Sequence, residues 1–176
     1  MSWEYTEPVR IVFGNGKIHE IRNYMEGICN PLLITEPFFL DRPVVQEIKK
    51  ECGIKSIFSD ISQNPDITQV NACSKQIREE QIGGIIALGG GSTIDLAKAA
   101  SIAVERIEEY HWNGKKVPDK HLPIIAIPTT AGTGSEVTCV SVLTDRKRRY
   151  KAPIVSNSFY PVMAVIDPEL TYTLSP

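Results

Sequence analysis

The most informative segment of this chain is Gly84-Ile85-Ile86-Ala87-Leu88-Gly89-Gly90-Gly91-Ser92-Thr93-Ile94-Asp95. Its apolar first half predicts a buried strand, and the residues after the glycines predict a helix. Ser92 can cap that helix, and Asp95 three residues later gives the spacing of a capping box. Because glycines let a ligand approach the backbone and a helix N-terminus presents unpaired N–H groups, the turn suits a phosphate or pyrophosphate. A capped turn without a ligand is the alternative, but three consecutive glycines exceed what capping requires.

Strand-like and helix-like segments alternate on both sides of this turn. Predicted strands cover residues 9–13, 32–35, 54–58, 84–88 and 124–127. Between them, apolar residues recur at helical spacing in four stripes: Ile18, Ile21, Met25 and Ile28; Val45, Ile48 and Cys52; Ile67, Val70, Cys73 and Ile77; Ala97, Ala100, Val104 and Ile107. This alternation predicts an α/β fold, a Rossmann-like parallel sheet with helices on both faces.

Beyond residue 136 the pattern changes. Residues 137–144, 151–155 and 162–166 predict an antiparallel hairpin addition to the sheet. A charged tip separates the first two segments. Its run Arg146-Lys147-Arg148-Arg149 is interpreted as a solvated turn, and a phosphate-binding patch is the alternative. The last ten residues, with Pro168 and Pro176, lack periodicity and resemble a linker. We therefore expect one domain over residues 1–166 and a linker over residues 167–176.

The composition favours a small-molecule partner. The chain has 176 residues, 42% of them apolar and 23% charged, with a net charge of −2. Without a global basic field or an apolar run of about 18 residues, we expect neither a nucleic-acid nor a membrane partner. The four cysteines are far apart, and no signal peptide precedes them. We predict reduced core thiols in a soluble, cytoplasmic protein.

A second polar segment, residues 128–136, follows the last predicted core strand. Thr129, Thr130 and Thr133 lie there among small residues, and their hydroxyls can bond sugar or phosphate oxygens across a narrow cleft. Open α/β sheets bind ligands at the carboxyl ends of parallel strands, so we expect this loop and the glycine turn at one edge. A polar surface loop without a ligand is the alternative.

Glu36, at the end of the second predicted strand, is a candidate for binding ribose hydroxyls. An earlier turn, Gly14-Asn15-Gly16, imitates the start of a dinucleotide fingerprint, but His19 occupies the position of its third glycine. We interpret those glycines as a turn. The Glu36 carboxylate would also repel a 2′-phosphate, which favours NAD over NADP. A solvated loop acid is the alternative.

Other chemistries lack support. Neither a G-x-S-x-G nucleophile elbow nor a Walker phosphate loop occurs. His19, His111 and His121 are too dispersed for a local metal motif. Lys151 differs from the charged tip before it, because it lies inside the next predicted strand and can point inward.

These motifs together resemble the nucleotide-binding domain of the iron-containing, metal-dependent (group III) alcohol dehydrogenase family. The matching segments, spread over essentially the whole chain, are Phe13-Gly14-Asn15-Gly16, Gln63-Asn64-Pro65, residues 89–95, residues 128–136 and Asp167-Pro168-Glu169-Leu170. Their order and spacing make the resemblance specific. It implies a dehydroquinate synthase-like N-terminal domain that binds NAD or NADP.

The resemblance also implies a role for each matched residue. Gly90, Gly91 and Ser92 would hold the pyrophosphate, and Asp95 would shape the same helix start. The threonines of the second loop, Thr129, Thr130 and Thr133, would meet the phosphates and the nicotinamide end.

Four further residues complete the implied site. Asn64 and Glu36 would lie toward the adenosine ribose, Lys151 would contact the cofactor, and Leu170 would lie near the cleft floor. The family usually has Asp at the position of Glu36, so the resemblance leaves the choice between NAD and NADP open.

Family members continue into a helical domain whose Asp and three His residues bind iron or zinc. That domain would begin just after the position of Pro176, so the resemblance implies that this chain lacks the metal ligands. The chain would supply the cofactor half of a hydride transfer between an alcohol or aldehyde and nicotinamide. By itself it would bind the dinucleotide without oxidising an alcohol. Many relatives dimerise, so a homodimer is one of the oligomeric states that the resemblance leaves open.

Two other hypotheses stay open at this point. The chain can be a non-catalytic binding or assembly module, whose uncovered sheet surface would favour self-association. It can also belong to a related polyol or sugar-phosphate enzyme of the superfamily, such as dehydroquinate synthase or glycerol dehydrogenase. The loop over residues 128–136 matches the alcohol dehydrogenase branch better.

Overall fold

Strands form where apolar residues, many of them β-branched, run without interruption. The computed structural model describes residues 2–4, 6–111 and 114–172. Its strands are β1 Arg10–Phe13, β2 Pro31–Thr35, β3 Ser56–Phe58, β4 Gly84–Gly89, β5 Ile124–Pro128, β6 Val140–Asp145, β7 Tyr150–Val155 and β8 Met163–Ile166. Strands β2, β4 and β5 are buried at every position, as expected of parallel strands covered on both faces.

The main sheet has six strands in the order β1-β8-β5-β4-β2-β3, and its pairings are parallel. Strand β3 lies on one side of β2, whereas β4 lies on the other and leads on to β5. The chain therefore reverses its direction of winding between β2 and β4, which opens a crevice at their carboxyl ends. This architecture confirms the predicted fold class.

Helices cover both faces of the sheet. They are α1 Pro43–Cys52, α2 Ile67–Glu79, α3 Gly91–Ser101 and α4 Glu108–His111, and 3-10 segments occupy Lys17–Tyr24, Pro37–Phe39, Ser135–Val137, Asn157–Phe159 and Pro168–Thr171. In β4, Ile85 and Ala87 join one apolar cluster, with α2 and α3. Ile86 and Leu88 join the other, with α1 and the first 3-10 segment. Alternate side chains of one strand thus build two cores.

Two of the predicted helices are shorter than their apolar stripes. The first forms a 3-10 segment that ends at Tyr24, before Met25 and Ile28. Helix α3 ends at Ser101, because the chain turns at Ala103, whose φ of 50° lies in the left-handed region. Val104 and Ile107 nevertheless pack against the same core as α3. The stripes indicated burial correctly and helix length incorrectly.

The predicted antiparallel addition is correct for β6 and β7, which pair with each other. It is wrong for residues 162–166, since β8 is inserted in parallel between β1 and β5. A four-residue apolar strand needs cover on both faces, and the interior of the sheet provides it. At the hairpin tip Asp145 is buried and accepts hydrogen bonds from the backbone N–H and guanidinium of Arg148. The tip is a structured turn.

Residues after β8 continue along the domain. Asp167 is buried, and its carboxylate accepts hydrogen bonds from the N–H groups of Ile18 and Glu169. The 3-10 segment Pro168–Thr171 follows it. Residues 173–176 of the predicted linker lie outside the described residues, and the boundary between domain and linker stays a prediction.

The cysteines are free thiols in different surroundings. The prediction of core thiols holds for Cys73, which is buried, whereas Cys29 is exposed and Cys52 and Cys139 are half-buried. Cys29 lies in the turn before β2 rather than inside an element, so apolar neighbours in sequence did not bring burial. Burial raises the pKa of Cys52 to about 11, and it raises the pKa of Cys73 well above its ordinary range. Among the described residues, no helix has the length and apolar character needed to cross a bilayer.

Candidate functional site

The glycine turn joins β4 to α3 at the crevice of the sheet. Gly90 occupies the N-cap position, with φ of −77°, and no side chain of the described residues caps the helix. The predicted capping box is therefore wrong. Ser92 lies inside the first turn and accepts a hydrogen bond from the N–H of Asn64, and Asp95 accepts one from the N–H of Val142. Since the neighbouring segments recruit both side chains, the helix start stays without a side-chain cap and suits an anion.

Close contacts restrict two of the three glycines, Gly89 more severely than Gly91. A Cβ on Gly89 would overlap the side chains of Glu36 and Thr93, and one on Gly91 would lie 2.9 Å from Cγ2 of Thr133. A Cβ on Gly90 would meet Thr130 at an ordinary 3.5 Å. Gly89, absent from the sequence-based site, thus creates the space that Glu36 occupies.

A cleft of about 780 Å³ opens above the turn. Of the predicted site residues, it is lined by Glu36, Asn64, Gly90, Gly91, Ser92, Asp95, Thr130, Thr133 and Lys151. The structure does not bring Thr129 or Leu170 to the lining. Thr129 is buried and its N–H donates to the carbonyl of Gly89, tying the ends of β4 and β5 together. Leu170 packs against the second core cluster.

Several lining residues were missed from the sequence: Phe38, Ile61, Ser62, Gln63, Ser135 and Val142. Phe38 carried a usable signal, since an aromatic residue two positions after a strand-end carboxylate lies where the loop faces the crevice. Three of the others, Ile61, Ser62 and Gln63, come from the loop before α2. Ser135 begins the 3-10 segment after β5, and Val142 lies on β6, whose position over α3 is a tertiary property.

Glu36 carries a carboxylate with one oxygen unpaired. Oε1 accepts a long hydrogen bond of 3.4 Å from the N–H of Gly90. Oε2 is buried and has no hydrogen-bond partner among the described residues. Because a buried carboxylate oxygen without a donor is costly, this atom calls for a hydroxyl donor from a bound ligand.

Asn64 and Lys151 meet on another wall of the cleft. The Lys151 ammonium donates to Oδ1 of Asn64 at 2.6 Å, while the N–H of Asn64 donates to Ser92 at 3.1 Å. This chain of contacts joins β7, the loop before α2 and the helix start. Lys151 does point into the cleft, as its place in a strand suggested, and it supplies a positive charge beside the turn.

Helix α3 clamps the β6–β7 hairpin over the cleft through two buried charged residues. Asp95 accepts from the N–H of Val142 at 3.0 Å, and its own carbonyl accepts from the hydroxyl of Ser141 at 2.7 Å. Lys98, fully buried, donates to Oγ1 of Thr138 at 3.1 Å and to the carbonyl of Val140 at 3.0 Å.

Burial shifts the pKa values of Asp95 and Lys98. It raises the pKa of the Asp95 carboxyl, although the N–H of Val142 and the nearby Lys98 ammonium oppose the rise. It lowers the pKa of Lys98 to about 8, against the attraction of Asp95. Lys98 was missed from the sequence, although a lysine inside an otherwise apolar helix is an unusual pattern that indicates a buried polar contact.

A bound metal ion needs several His, Cys, Asp or Glu side chains at one place. Within the part of the chain that the structure describes, no three His, Cys, Asp or Glu side chains come close enough together to hold one.

Comparison with known proteins gives a match to one protein family. The family model of iron-containing alcohol dehydrogenases matches residues 8–168. The chain is 33% identical over 172 residues to NAD-dependent methanol dehydrogenase of Bacillus methanolicus, covering 93% of this chain and 45% of that protein. It is 32% identical over 185 residues to sulfoacetaldehyde reductase of Bilophila wadsworthia, covering 100% of this chain and 48% of that protein.

Solved structures give the same picture. Sulfoacetaldehyde reductase of Bifidobacterium kashiwanohense in complex with NAD+ superposes with a TM-score of 0.94 and 49% identity, over 100% of this chain and 49% of that one. NADH-dependent butanol dehydrogenase A of Thermotoga maritima superposes with a TM-score of 0.90 and 27% identity, over 99% of this chain and 46% of that one. The chain spans about half the length of the relatives it matches.

Proposed function

This chain belongs to the iron-containing alcohol dehydrogenase family, and from that membership we propose that it is the dinucleotide-binding part of an NAD(H)-dependent alcohol–aldehyde oxidoreductase. The observation that carries the proposal is the cleft at the carboxyl ends of β2 and β4. It combines a glycine turn, a helix start without a side-chain cap and a carboxylate oxygen that needs a donor.

The lining suggests how the dinucleotide is held. The pyrophosphate would receive hydrogen bonds from the backbone around Gly90, Gly91 and Ser92, where the helix dipole favours negative charge. From the opposite wall of the cleft, the hydroxyls of Thr130 and Thr133 would bond to oxygens of the dinucleotide. Thr129 would act indirectly, because it fixes that loop to β4.

The remaining residues act at the two ends of the cofactor. Glu36, two residues from the aromatic end of the cleft, would accept from the adenosine ribose hydroxyls. Lys151 and Asn64, joined to each other and to Ser92, would lie beside the nicotinamide half. This departs from our sequence-based placement of Asn64 near the adenosine ribose. Leu170 would support the cleft only through the core beneath it.

Glu36 also favours NAD over NADP. A ribose 2′-phosphate would bring a second negative charge against the carboxylate, to which the described residues donate only the long hydrogen bond from the Gly90 N–H. Like charges at hydrogen-bond distance in a partly buried cleft repel strongly.

Hydride transfer itself belongs, in this proposal, to the whole protein. An alcohol or aldehyde would exchange hydride with the nicotinamide. The purified 176-residue chain should bind NADH and should show no saturable turnover of a primary alcohol with added iron or zinc. Such turnover would contradict the proposal that hydride transfer belongs to the whole protein.

Isothermal titration calorimetry of the chain with NADH and with NADPH tests the binding site. We expect saturable binding of NADH and weaker binding of NADPH. The variant Glu36→Gln, which keeps the shape and removes the charge, should narrow that difference. Absence of binding to either cofactor would favour the non-catalytic assembly module instead.

Sulfoacetaldehyde is a second, more specific candidate for the aldehyde of the whole protein. The observation in its favour is the 49% identity to a sulfoacetaldehyde reductase over all of this chain. Steady-state kinetics of the full-length protein with NADH should then show a higher kcat/KM for sulfoacetaldehyde than for butanal. Equal values for the two aldehydes would remove this candidate and leave the general proposal intact.

A further inference from the structure

Phe38 is a large apolar side chain that the fold leaves uncovered inside the cleft. It lines the cavity, yet 65% of its surface is exposed. Its neighbour Phe39 behaves differently, since it packs against the second core cluster. The fold therefore buries one ring of this pair and presents the other to the cavity.

The backbone holds Phe38 in place. Pro37 begins the 3-10 segment Pro37–Phe39, and the N–H of Phe39 donates to the carbonyl of Glu36 at 3.0 Å. The two phenylalanine rings lie with centroids 4.5 Å apart at a tilt of 36°. A preformed aromatic surface of this kind loses little side-chain entropy when a flat ligand group stacks on it.

The position of Phe38 follows the chemical order of a dinucleotide. A Cβ on Gly90 would lie 3.5 Å from Thr130 and 4.0 Å from Glu36, so the two cleft walls rise on either side of this glycine. One wall runs from Glu36 to Phe38. The other runs from Thr130 to Gly132, where a Cβ would meet nothing within 4 Å. Phosphate, ribose and base then correspond to the glycine turn, Glu36 and the aromatic end.

We propose that Phe38 is the stacking platform for the adenine ring and thereby determines affinity for the adenosine half of the cofactor. This inference rests on the proposed function. Stacking of a base on an aromatic ring is sequence-tolerant and strong, because every base has a π-face. Loss of the ring should weaken binding about tenfold, in line with measured base–aromatic contacts.

Calorimetric titration of the full chain with NADH and with ADP-ribose tests the proposal in four variants. Phe38→Ala and Phe38→Leu should both bind the two ligands about tenfold more weakly, since neither keeps a ring. Phe38→Tyr, which keeps an aromatic ring, should bind both ligands as tightly as the wild type. Phe13→Ala is the matched control, because Phe13 is 68% exposed and lies on β1 outside the cleft lining, and it should bind like the wild type.

Each outcome decides one question. Wild-type affinity in Phe38→Ala, or full affinity in Phe38→Leu, would overturn the stacking role while leaving the dinucleotide site in place. A Phe38→Tyr variant as weak as Phe38→Ala would also overturn it. Failure of the wild-type chain to bind NADH would overturn the proposed function itself, and this inference with it.

Discussion

Gly91 lies where a side chain would enter the cleft. A Cβ there would sit 2.9 Å from Cγ2 and 3.0 Å from Oγ1 of Thr133, the end of an exposed side chain rather than backbone. Because only the exposed Thr133 side chain has to shift, we expect Gly91→Val to fold with nearly unchanged thermal stability. The branched side chain would occupy the pyrophosphate position, and calorimetry should detect no NADH binding. Unchanged affinity in a folded Gly91→Val variant would remove the glycine turn from the site.

Lys98 makes stability depend on pH in an identifiable direction. Burial holds its pKa at about 8 in the folded chain against 10.5 for an exposed lysine. Between these values the unfolded chain binds more protons, so stability relative to Lys98→Met should rise with pH across that window, by about 3 kcal/mol at most. Below pH 8 both states hold the proton and the full cost of the buried charge persists.

Urea unfolding of the wild type and of Lys98→Met at pH 7.5, 9 and 10 measures this effect. The hydrogen bonds that methionine cannot make change the difference by an amount that does not depend on pH. A difference between the two proteins that stays constant over the series would contradict the low pKa.

At the scale of elements, Asp66 joins α2 to the β6–β7 hairpin. Its Oδ1 accepts from the N–H of Thr68 at 2.9 Å, and Oδ2 accepts from the N–H of Arg146 at 3.1 Å. Gln69 reaches back to the N–H of Asp66, which completes a capping box. Burial alone would raise the pKa of Asp66, but the hydrogen bonds from Thr68 and Arg146 lower it overall.

Asp66→Ala should therefore reduce the free energy of unfolding by about 1 to 2 kcal/mol at pH 7. Asp66→Asn keeps an acceptor at the helix start and should lose less than half as much. The carboxylate stabilises the fold above the ordinary pKa of 3.8 and loses this effect as pH falls through its lowered value, so the deficit should shrink in acid. An Asn variant as unstable as the Ala variant would show that capping is not the cause.

At the scale of the whole molecule, strand β1 forms an edge of the sheet. In the described part of the chain it pairs with β8 alone, and Ile11 and Phe13 on it are 48% and 68% exposed. An open edge with exposed apolar side chains is a template for pairing with another chain. We expect reversible self-association of the purified chain between monomer and dimer.

Sedimentation velocity over a range of concentrations measures this association. Phe13→Lys should shift the population toward monomer without changing NADH affinity, because Phe13 lies outside the cleft lining. Val155→Lys, at another exposed apolar position but on β7, is the control and should leave the association unchanged. Equal association of wild type and Phe13→Lys would place the contact elsewhere.

Local sequence patterns are sufficient to predict an element when its conformation depends on residues that are neighbours in sequence. The apolar run of β4 and the glycines after it predicted a buried strand and a ligand turn, because strand burial and backbone freedom depend on residue types in sequence. Capping is different: Ser92 and Asp95 have the right spacing, yet Asn64 and Val142 bind them. A capping box does form at the start of another helix, α2, between Asp66 and Gln69. Side chains near a cleft form hydrogen bonds with partners that lie far away in sequence.

The alternation of strands and helices, the family and nine of the nineteen residues that line the cleft follow from the sequence alone. Tertiary structure decided that β8 enters the parallel sheet, that Lys98 and Asp95 clamp the hairpin, and that Thr129 and Leu170 stay out of the lining. The physical reason is that periodicity records only whether a side chain is buried. Which face of which neighbour buries it depends on contacts between segments that a single stretch of sequence does not contain.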